Sequence, residues 1–135
     1  RQSRVLLDAE RGRWMLGAQP QGRSELRLTG LVDGQCVNVV IDRTFVDEQG
    51  VRWIIDYKTS SHEGADVEAF LDNEQLRYRG QLERYARLLQ TGGAPQGDLL
   101  RSAPQGDLLR GEQRIRLGLY FPLLGGWREW PCETR

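Results

Sequence analysis

The stretch VNVVIDRTFVDEQGVRWIIDYKTS, residues 37–60, decides the fold of this chain. Two runs rich in β-branched and aromatic residues, which favour β-strands, are separated by the segment EQG at residues 48–50. A three-residue loop with glycine in the left-handed position is a common connection between antiparallel strands. The pattern therefore predicts a β-hairpin in which Phe45 faces Trp53, a favourable aromatic pair.

The predicted register also brings two acidic residues together. Counting back from the turn, Asp42 faces Asp56, whereas a register shifted by one residue would place them on opposite faces of the sheet. Lys58 points to the same face as Asp56, because side chains two residues apart in a strand share a face. The neighbouring residues are apolar and predict partial burial of this pair: Val40, Ile41, Ile54 and Ile55.

Two facing carboxylates in a partly buried place need a proton, a cation or a metal ion. Lys58 is one such cation, and a hard divalent ion such as Mg²⁺, which takes oxygen ligands, is another. A metal ion and a lysine together suit phosphoryl transfer, since the ion polarises the phosphate and activates water and the lysine neutralises developing charge. The alternative is a buried network of Asp42, Asp56 and Lys58 with no ion.

The other segments predict an α/β domain with a central mixed β-sheet flanked by α-helices. Hydrophobic alternation and periodicity predict one helix before the hairpin, a strand that begins at Glu25, and two further strands after residue 114. Asp72 or Asn73 is predicted to cap a helix that ends at Leu89. The predicted elements are a helix at 3–16, strands at 25–32, 37–46 and 51–58, one or two helices over 66–71 and 74–89, and strands at 114–121 and 127–130.

The length of 135 residues predicts a single domain. No apolar run is long enough to span a bilayer, the first residues lack a signal peptide, and the start at Arg1 suggests a fragment of a larger protein. Cys36 and Cys132 are too few for a metal or iron–sulfur site and fit a reducing cytosol as buried thiols. The formal net charge of zero counts against independent, tight DNA binding.

One segment repeats word for word. The sequence APQGDLLR occurs at residues 94–101 and again at 103–110. Copies of this length do not form a solenoid, and the glycine and proline content predicts a flexible or duplicated loop over residues 92–112.

Asp42, the triplet DYK at 56–58 and the helical segment QLERY at 81–85 resemble the PD-(D/E)XK nuclease superfamily. Over residues 25–130, the chain looks more narrowly like the C-terminal nuclease domain of bacterial UvrD-type helicase–nucleases, the AddA and RecB group. The terminal segment LGLYFPLLGGWREW, residues 117–130, carries part of that narrower resemblance.

The resemblance implies a role for each matching residue. Asp42 and Asp56 would bind the metal ion with the backbone carbonyl of Tyr57, and Lys58 would be the catalytic lysine. Gln81 and Tyr85 would line the site and contact DNA or order the lysine, although Tyr85 also fits a purely packing role.

Two positions match the family less closely. Glu25 occupies the place of an upstream acidic residue, and a solvated carboxylate at a strand start explains it equally well. Relatives often carry an upstream metal-binding histidine, but Gln19 and Gln21 stand in that region. The single histidine, His62, follows the DYK triplet and is expected at the surface or against DNA.

The resemblance implies a Mg²⁺- or Mn²⁺-dependent deoxyribonuclease, exonuclease rather than endonuclease, acting in double-strand break repair and recombination. Its partners would be single-stranded or unwound DNA ends, upstream helicase domains of the same chain and a second subunit, without a membrane, in the bacterial cytoplasm. The ATP site would lie upstream, because no GxxxxGK[ST] motif is present. The alternatives are a catalytically silent nuclease fold that guides DNA or serves structurally in the larger protein, and a stand-alone endonuclease.

Overall fold

A computed structural model describes residues 4–17, 22–60, 62, 64, 66–90, 94–95 and 114–133. A six-stranded mixed sheet has the order β4-β1-β2-β3-β5-β6, in which β3 and β5 are parallel and the other neighbours antiparallel. The elements are α1 (Arg4–Leu16), β1 (Arg23–Val32), β2 (Gln35–Val46), β3 (Arg52–Tyr57), α2 (Val67–Gln90), β4 (Ala94–Pro95), β5 (Ile115–Phe121) and β6 (Gly126–Pro131). The predicted α/β class with a mixed sheet is confirmed.

The two helices pack against different sets of strand residues. Ile54 belongs to a buried cluster with Leu82 of α2, and its neighbour Ile55 belongs to a second cluster with Met15 of α1. Because successive side chains of a strand point to opposite faces, the helices cover opposite faces of the sheet around β3. Strand β3 is therefore buried on both sides, as is usual where a sheet carries a parallel pair.

The hairpin between β2 and β3 has the predicted turn. The Asp47 N–H donates to the Val51 carbonyl at 2.9 Å, Gly50 has a φ of 80°, and Phe45 lies opposite Trp53. The Asp47 carboxylate accepts hydrogen bonds from the backbone N–H groups of Gln49 and Val51 and from the Trp53 indole. Burial opposes the effect of these bonds, but they and the charge of Arg114 lower the pKa of Asp47. The Asp47 carboxylate therefore anchors the turn that sets the register of the hairpin.

Of the one or two helices predicted after the hairpin, the structure has one. Helix α2 is continuous from Val67, and its N-terminal cap is Asp66, whose carboxylate accepts a hydrogen bond from the Ala69 N–H at 2.9 Å. Asp72 lies inside the helix and accepts a hydrogen bond from Arg128 of β6. An aspartate that satisfies the first free N–H groups of a helix defines its start, so Asp72 and Asn73 do not act as caps.

Cys36, which was predicted to be a buried thiol, is exposed. Val40, an apolar neighbour of Asp42, is also exposed and lies on the same face of the part of β2 that pairs with β1. Neither Cys36 nor the half-buried Cys132 forms a disulfide. Of the duplicated segment, Ala94–Pro95 forms β4, and the remainder of the predicted 92–112 loop lies outside the described residues. No helix in the described ranges is long and apolar enough to cross a membrane.

The anchor of the turn generates a stability prediction. We expect Asp47→Asn to lower the free energy of unfolding at pH 7 by about 1–3 kcal/mol, the usual contribution of hydrogen bonds to a charged group. Since the folded pKa is depressed, the difference from wild type should be present above pH 4 and shrink as the pH falls further. Urea denaturation from pH 3 to 7 measures it.

The exposed Glu48 in the same turn provides the matched control. Glu48→Gln should unfold like the wild type at every pH. Equal loss of stability in the two variants would contradict an anchoring role for Asp47.

Candidate active site

Three acidic residues occupy one row across neighbouring strands. Ser24 pairs with Arg43 and Leu26 pairs with Ile41. Glu25, which lies between Ser24 and Leu26, is therefore at the position opposite Asp42. The β2–β3 pairing reaches Arg43 opposite Ile55, and one further step brings Asp42 to Asp56. The row therefore contains Glu25, Asp42 and Asp56 on β1, β2 and β3.

Asp42 completes the hydrogen bonding of the strand beside it. The Tyr57 N–H donates to the Asp42 Oδ2 atom at 2.8 Å, so a carboxylate takes the place of a backbone acceptor where the β2–β3 ladder ends. The next backbone N–H, that of Lys58 directly after β3, points the other way and donates to the Tyr120 carbonyl of β5 at 2.8 Å. Asp42 is consequently tied to the backbone of the strand that carries Asp56.

Asp56 is a buried carboxyl group with too little positive charge around it. Its Oδ2 atom lies 2.7 Å from the Lys58 Nζ atom, yet no donor is aligned with this oxygen for a hydrogen bond. Burial, followed by a hydrogen bond with Asp42, raises the pKa of Asp56 to about 6 although Lys58 acts in the opposite direction. One ammonium group therefore compensates only part of the charge of two adjacent carboxylates.

Lys58 is the single lysine of the chain, and its side chain is only 16% exposed. Besides Asp56, it contacts the ring of Tyr78 on α2, with the Nζ atom 3.5 Å from the ring centroid. Tyr78 was predicted only as a member of a buried helical stripe. The signal that could have identified it is its position three residues before Gln81, on the same side of the helix.

Gln81 and Tyr85 bind each other, since the Gln81 amide donates to the Tyr85 hydroxyl. In the described part of the chain, no hydrogen bond or ion pair joins them to Asp42, Asp56 or Lys58. Their helical spacing from Tyr78 places them on the side of α2 that contacts the lysine. Tyr85 also belongs to the buried cluster on that side, so its ring has a packing role.

Glu25 lies in the row but differs from the two aspartates in exposure and backbone. It is exposed, and its φ of 54° is in the left-handed region, which is uncommon for residues other than glycine. The structure assigns it no ion pair or hydrogen bond among the described residues. Glu25 is a candidate active-site residue only because its position in β1 is opposite Asp42.

The structure describes the only histidine of the chain but not the upstream residues where a metal-binding histidine was sought. Gln19 and Gln21, which stand in the upstream region, lie outside the described residues. His62 is half-buried and stacks on Phe70 of α2, with ring centroids 4.7 Å apart and planes inclined by 12°. His62 thus packs against the start of α2.

The site meets part of the requirement for a divalent metal ion. Among the described residues, no three His, Cys, Asp or Glu side chains form a metal-binding group. The donors that are present are two adjacent carboxylates, one of which has a buried oxygen without an aligned hydrogen-bond donor. Mg²⁺ is usually held by one or two carboxylates and completes its shell with water, so this donor set fits such an ion.

A comparison with protein families matches residues 5–116 to the PD-(D/E)XK nuclease superfamily. The matched range includes the acidic row, Lys58 and the face of α2 that carries Tyr78, Gln81 and Tyr85. A comparison with curated proteins finds no match.

The raised pKa of Asp56 generates a prediction about stability and pH. The folded protein holds the Asp56 proton up to about pH 6, whereas the unfolded chain releases it near the ordinary value. Folding therefore binds a proton between these limits, and stability falls as the pH rises from about 4 to 6. We expect a loss on the order of 1–3 kcal/mol in metal-free buffer.

Other carboxylates, including Asp47, change stability with the opposite sign, so the informative quantity is a difference between variants. Asp56→Asn cannot lose this proton and should become relatively more stable than wild type as the pH rises through this window. Urea denaturation of both proteins at several pH values gives the difference. Parallel stability curves would show that Asp56 titrates normally.

Proposed function

The chain belongs to the PD-(D/E)XK nuclease superfamily. We propose that it is a metal-dependent deoxyribonuclease that hydrolyses phosphodiester bonds of DNA, with Asp42, Asp56 and Lys58 as its catalytic residues. The observation that carries this proposal is the buried Asp56 carboxyl group, which lies beside Asp42 and is only partly compensated by Lys58. An arrangement of this kind costs stability and is typical of functional sites.

Asp42, Asp56 and the Tyr57 carbonyl would hold Mg²⁺ or Mn²⁺, the class of cofactor that these nucleases typically use. When bound, such an ion polarises a phosphate group and lowers the pKa of a water molecule. Its charge would also relieve the repulsion between the two aspartates, which ties binding of the ion to stability of the fold.

Lys58 contributes a positive charge that the chain itself supplies. In a site with little solvent, a fixed ammonium group stabilises negative charge on phosphate oxygens more strongly than it would in water. The same group can donate a hydrogen bond that orients the attacking water. Asp56 holds Lys58 in place through the ion pair of 2.7 Å.

Gln81, Tyr85 and Glu25 are proposed as accessory residues. The Gln81–Tyr85 hydrogen bond presents an amide and a hydroxyl on the side of α2 that contacts Lys58, and groups of this type bind DNA phosphate and sugar. Glu25 stands next to Asp42 in the acidic row and would add a third carboxylate to the site.

The wider proposal concerns the protein in which this domain acts. The resemblance of residues 117–130 to the end of AddA and RecB proteins supports a nuclease module of an ATP-dependent helicase–nuclease in double-strand break repair and recombination. The net charge of zero supports delivery of DNA by neighbouring helicase domains or a second subunit. Single strands produced by unwinding from an end would favour exonuclease action.

A catalytically silent nuclease fold is the second candidate. The neutral charge and the lack of a three-ligand group among the described side chains favour a silent module that serves structurally or guides DNA together with the rest of the larger protein. The cost of keeping two adjacent carboxylates and a lysine in a buried place favours the enzyme, because guiding DNA does not require them.

The enzymatic proposal predicts Mg²⁺- or Mn²⁺-dependent cleavage of single-stranded DNA. Asp56→Ala and Lys58→Ala should each lower kcat by at least 10²- to 10³-fold, since each removes electrostatic stabilisation at the reacting phosphate. The measurement is release of labelled nucleotides, with and without EDTA. The control is Glu48→Gln, which lies in the β2–β3 turn at the opposite end of β3 from Asp56 and should cleave DNA at the wild-type rate. Equal rates in wild type and Asp56→Ala would refute the assignment.

Metal binding should also be visible without catalysis. Mn²⁺ at ten times its Kd should stabilise the wild type by about 1.4 kcal/mol, a rise of several degrees in Tm for a domain of this size. Asp42→Asn and Asp56→Asn should remove most of the shift in a thermal melt. No shift in the wild type at millimolar Mn²⁺ would favour the silent fold.

A further inference from the structure

The ring of Tyr78 is the second contact of Lys58. The Nζ atom lies 3.5 Å from the ring centroid of Tyr78 and 2.7 Å from the Asp56 carboxylate. We propose that Tyr78 is a positioning residue, whose ring face keeps the Lys58 ammonium at the site when a divalent cation occupies the carboxylates. The catalytic consequence rests on the proposed function, whereas the positioning itself does not.

A second holding contact is needed because the ion pair with Asp56 is not independent of the metal. A divalent cation at Asp42 and Asp56 draws on the same negative charge that attracts Lys58, and it repels the ammonium group. Lysine has a flexible four-carbon stem and loses considerable rotamer freedom when it is held in one place. With Asp56 as its only partner, Lys58 would be released to solvent when the cation binds.

An aromatic face attracts an ammonium group without competing for the cation. The attraction comes from the quadrupole of the ring and grows when the pair is shielded from water. Lys58 is 16% exposed and Tyr78 is half-buried against the cluster on the α2 side, so the pair is largely desolvated. Tyr78 supplies no carboxylate, which leaves the oxygens of Asp56 available to a metal ion.

The position of Tyr78 on the helix makes its ring a firm support. Leu71 and Leu82, two turns and one turn away on the same side of α2, are almost fully and fully buried, which fixes this side against the sheet. Arg77 also lies near the ring, at 5.1 Å from the centroid, but its side chain is 69% exposed and pairs with Glu74. Lys58 is the nearer and better shielded cation.

The single lysine of the chain makes the proposal directly measurable by NMR. Protein grown with ¹³C-labelled lysine gives one set of side-chain signals, all from Lys58. A group above an aromatic face is shifted upfield, so the Lys58 ε-protons should resonate upfield of those of free lysine, and should stay there when Mg²⁺ is added. The shift should persist in Tyr78→Phe, which keeps the ring, and disappear in Tyr78→Leu.

Kinetics provides the second measurement. Tyr78→Leu should lower kcat by on the order of 10- to 100-fold, as expected for a misplaced catalytic group, with little change in KM or in the Mn²⁺-induced rise in Tm. Tyr78→Phe should keep kcat within about twofold of the wild type, because a ring without the hydroxyl still faces the ammonium. Tyr78→Met serves as a second ringless variant should Tyr78→Leu fail to fold.

The outcomes separate the two proposals. An inactive wild type with an upfield Lys58 signal that persists in Mg²⁺ refutes the nuclease proposal and supports positioning by Tyr78. An active wild type with unshifted Lys58 signals, or with unchanged kcat in the ringless variants, refutes positioning by Tyr78 and leaves the nuclease proposal intact. Because the wild-type spectrum alone decides the contact, the test does not depend on any variant folding.

Discussion

The structure depends on two carboxylates held side by side, of which Asp56 is buried and Asp42 is half-buried. Asp42 and Asp56 meet where the pairing of β2 with β3 ends, and the Tyr57 N–H is bound to Asp42 rather than to a backbone acceptor. Strand β3 is covered by a helix cluster on each face, so little water can reach Asp56. The repulsion that results must be balanced from within the protein, by a proton, by Lys58 or by a metal ion.

This requirement connects the site to α2. Lys58 balances part of the charge, and its Nζ atom also lies 3.5 Å from the ring centroid of Tyr78 on α2. The start of α2 is in turn fixed to β6, because the Arg128 side chain binds both Glu68 and Asp72. The helix that faces the site is thus held by apolar packing along its length and by charge near its N-terminus. A shift of α2 would move the ring from the lysine and leave Asp56 with less compensation.

Sequence reasoning succeeded where local chemistry decides the result. The register of the hairpin follows from Gly50 and from alternation along two strands, and both act over a few residues. It failed for Asp72, which lies inside a helix that Asp66 caps and whose hydrogen-bond partner, Arg128, is distant in sequence. Tyr78 was assigned to packing for the same reason, since helical periodicity indicates a buried face but not which side chain of another element it meets. The left-handed backbone of Glu25 has no local signal either, because glutamate does not favour that conformation.

The choice of lysine at position 58 follows from the same constraint. All but one of the nineteen Lys and Arg residues are arginines, and several hold the fold through multiple contacts, as Arg116 does by donating from two of its nitrogens to the Glu129 Oε2 atom. A guanidinium group at position 58 could make a bidentate contact with both oxygens of Asp56 and would then occupy the oxygens that a metal ion would need. A compact ammonium group binds as a point charge and leaves the remaining lone pairs of Asp56 free. An ammonium group lacks the fixed geometry of a bidentate guanidinium contact. In our proposal, the contact with the Tyr78 ring positions Lys58 instead.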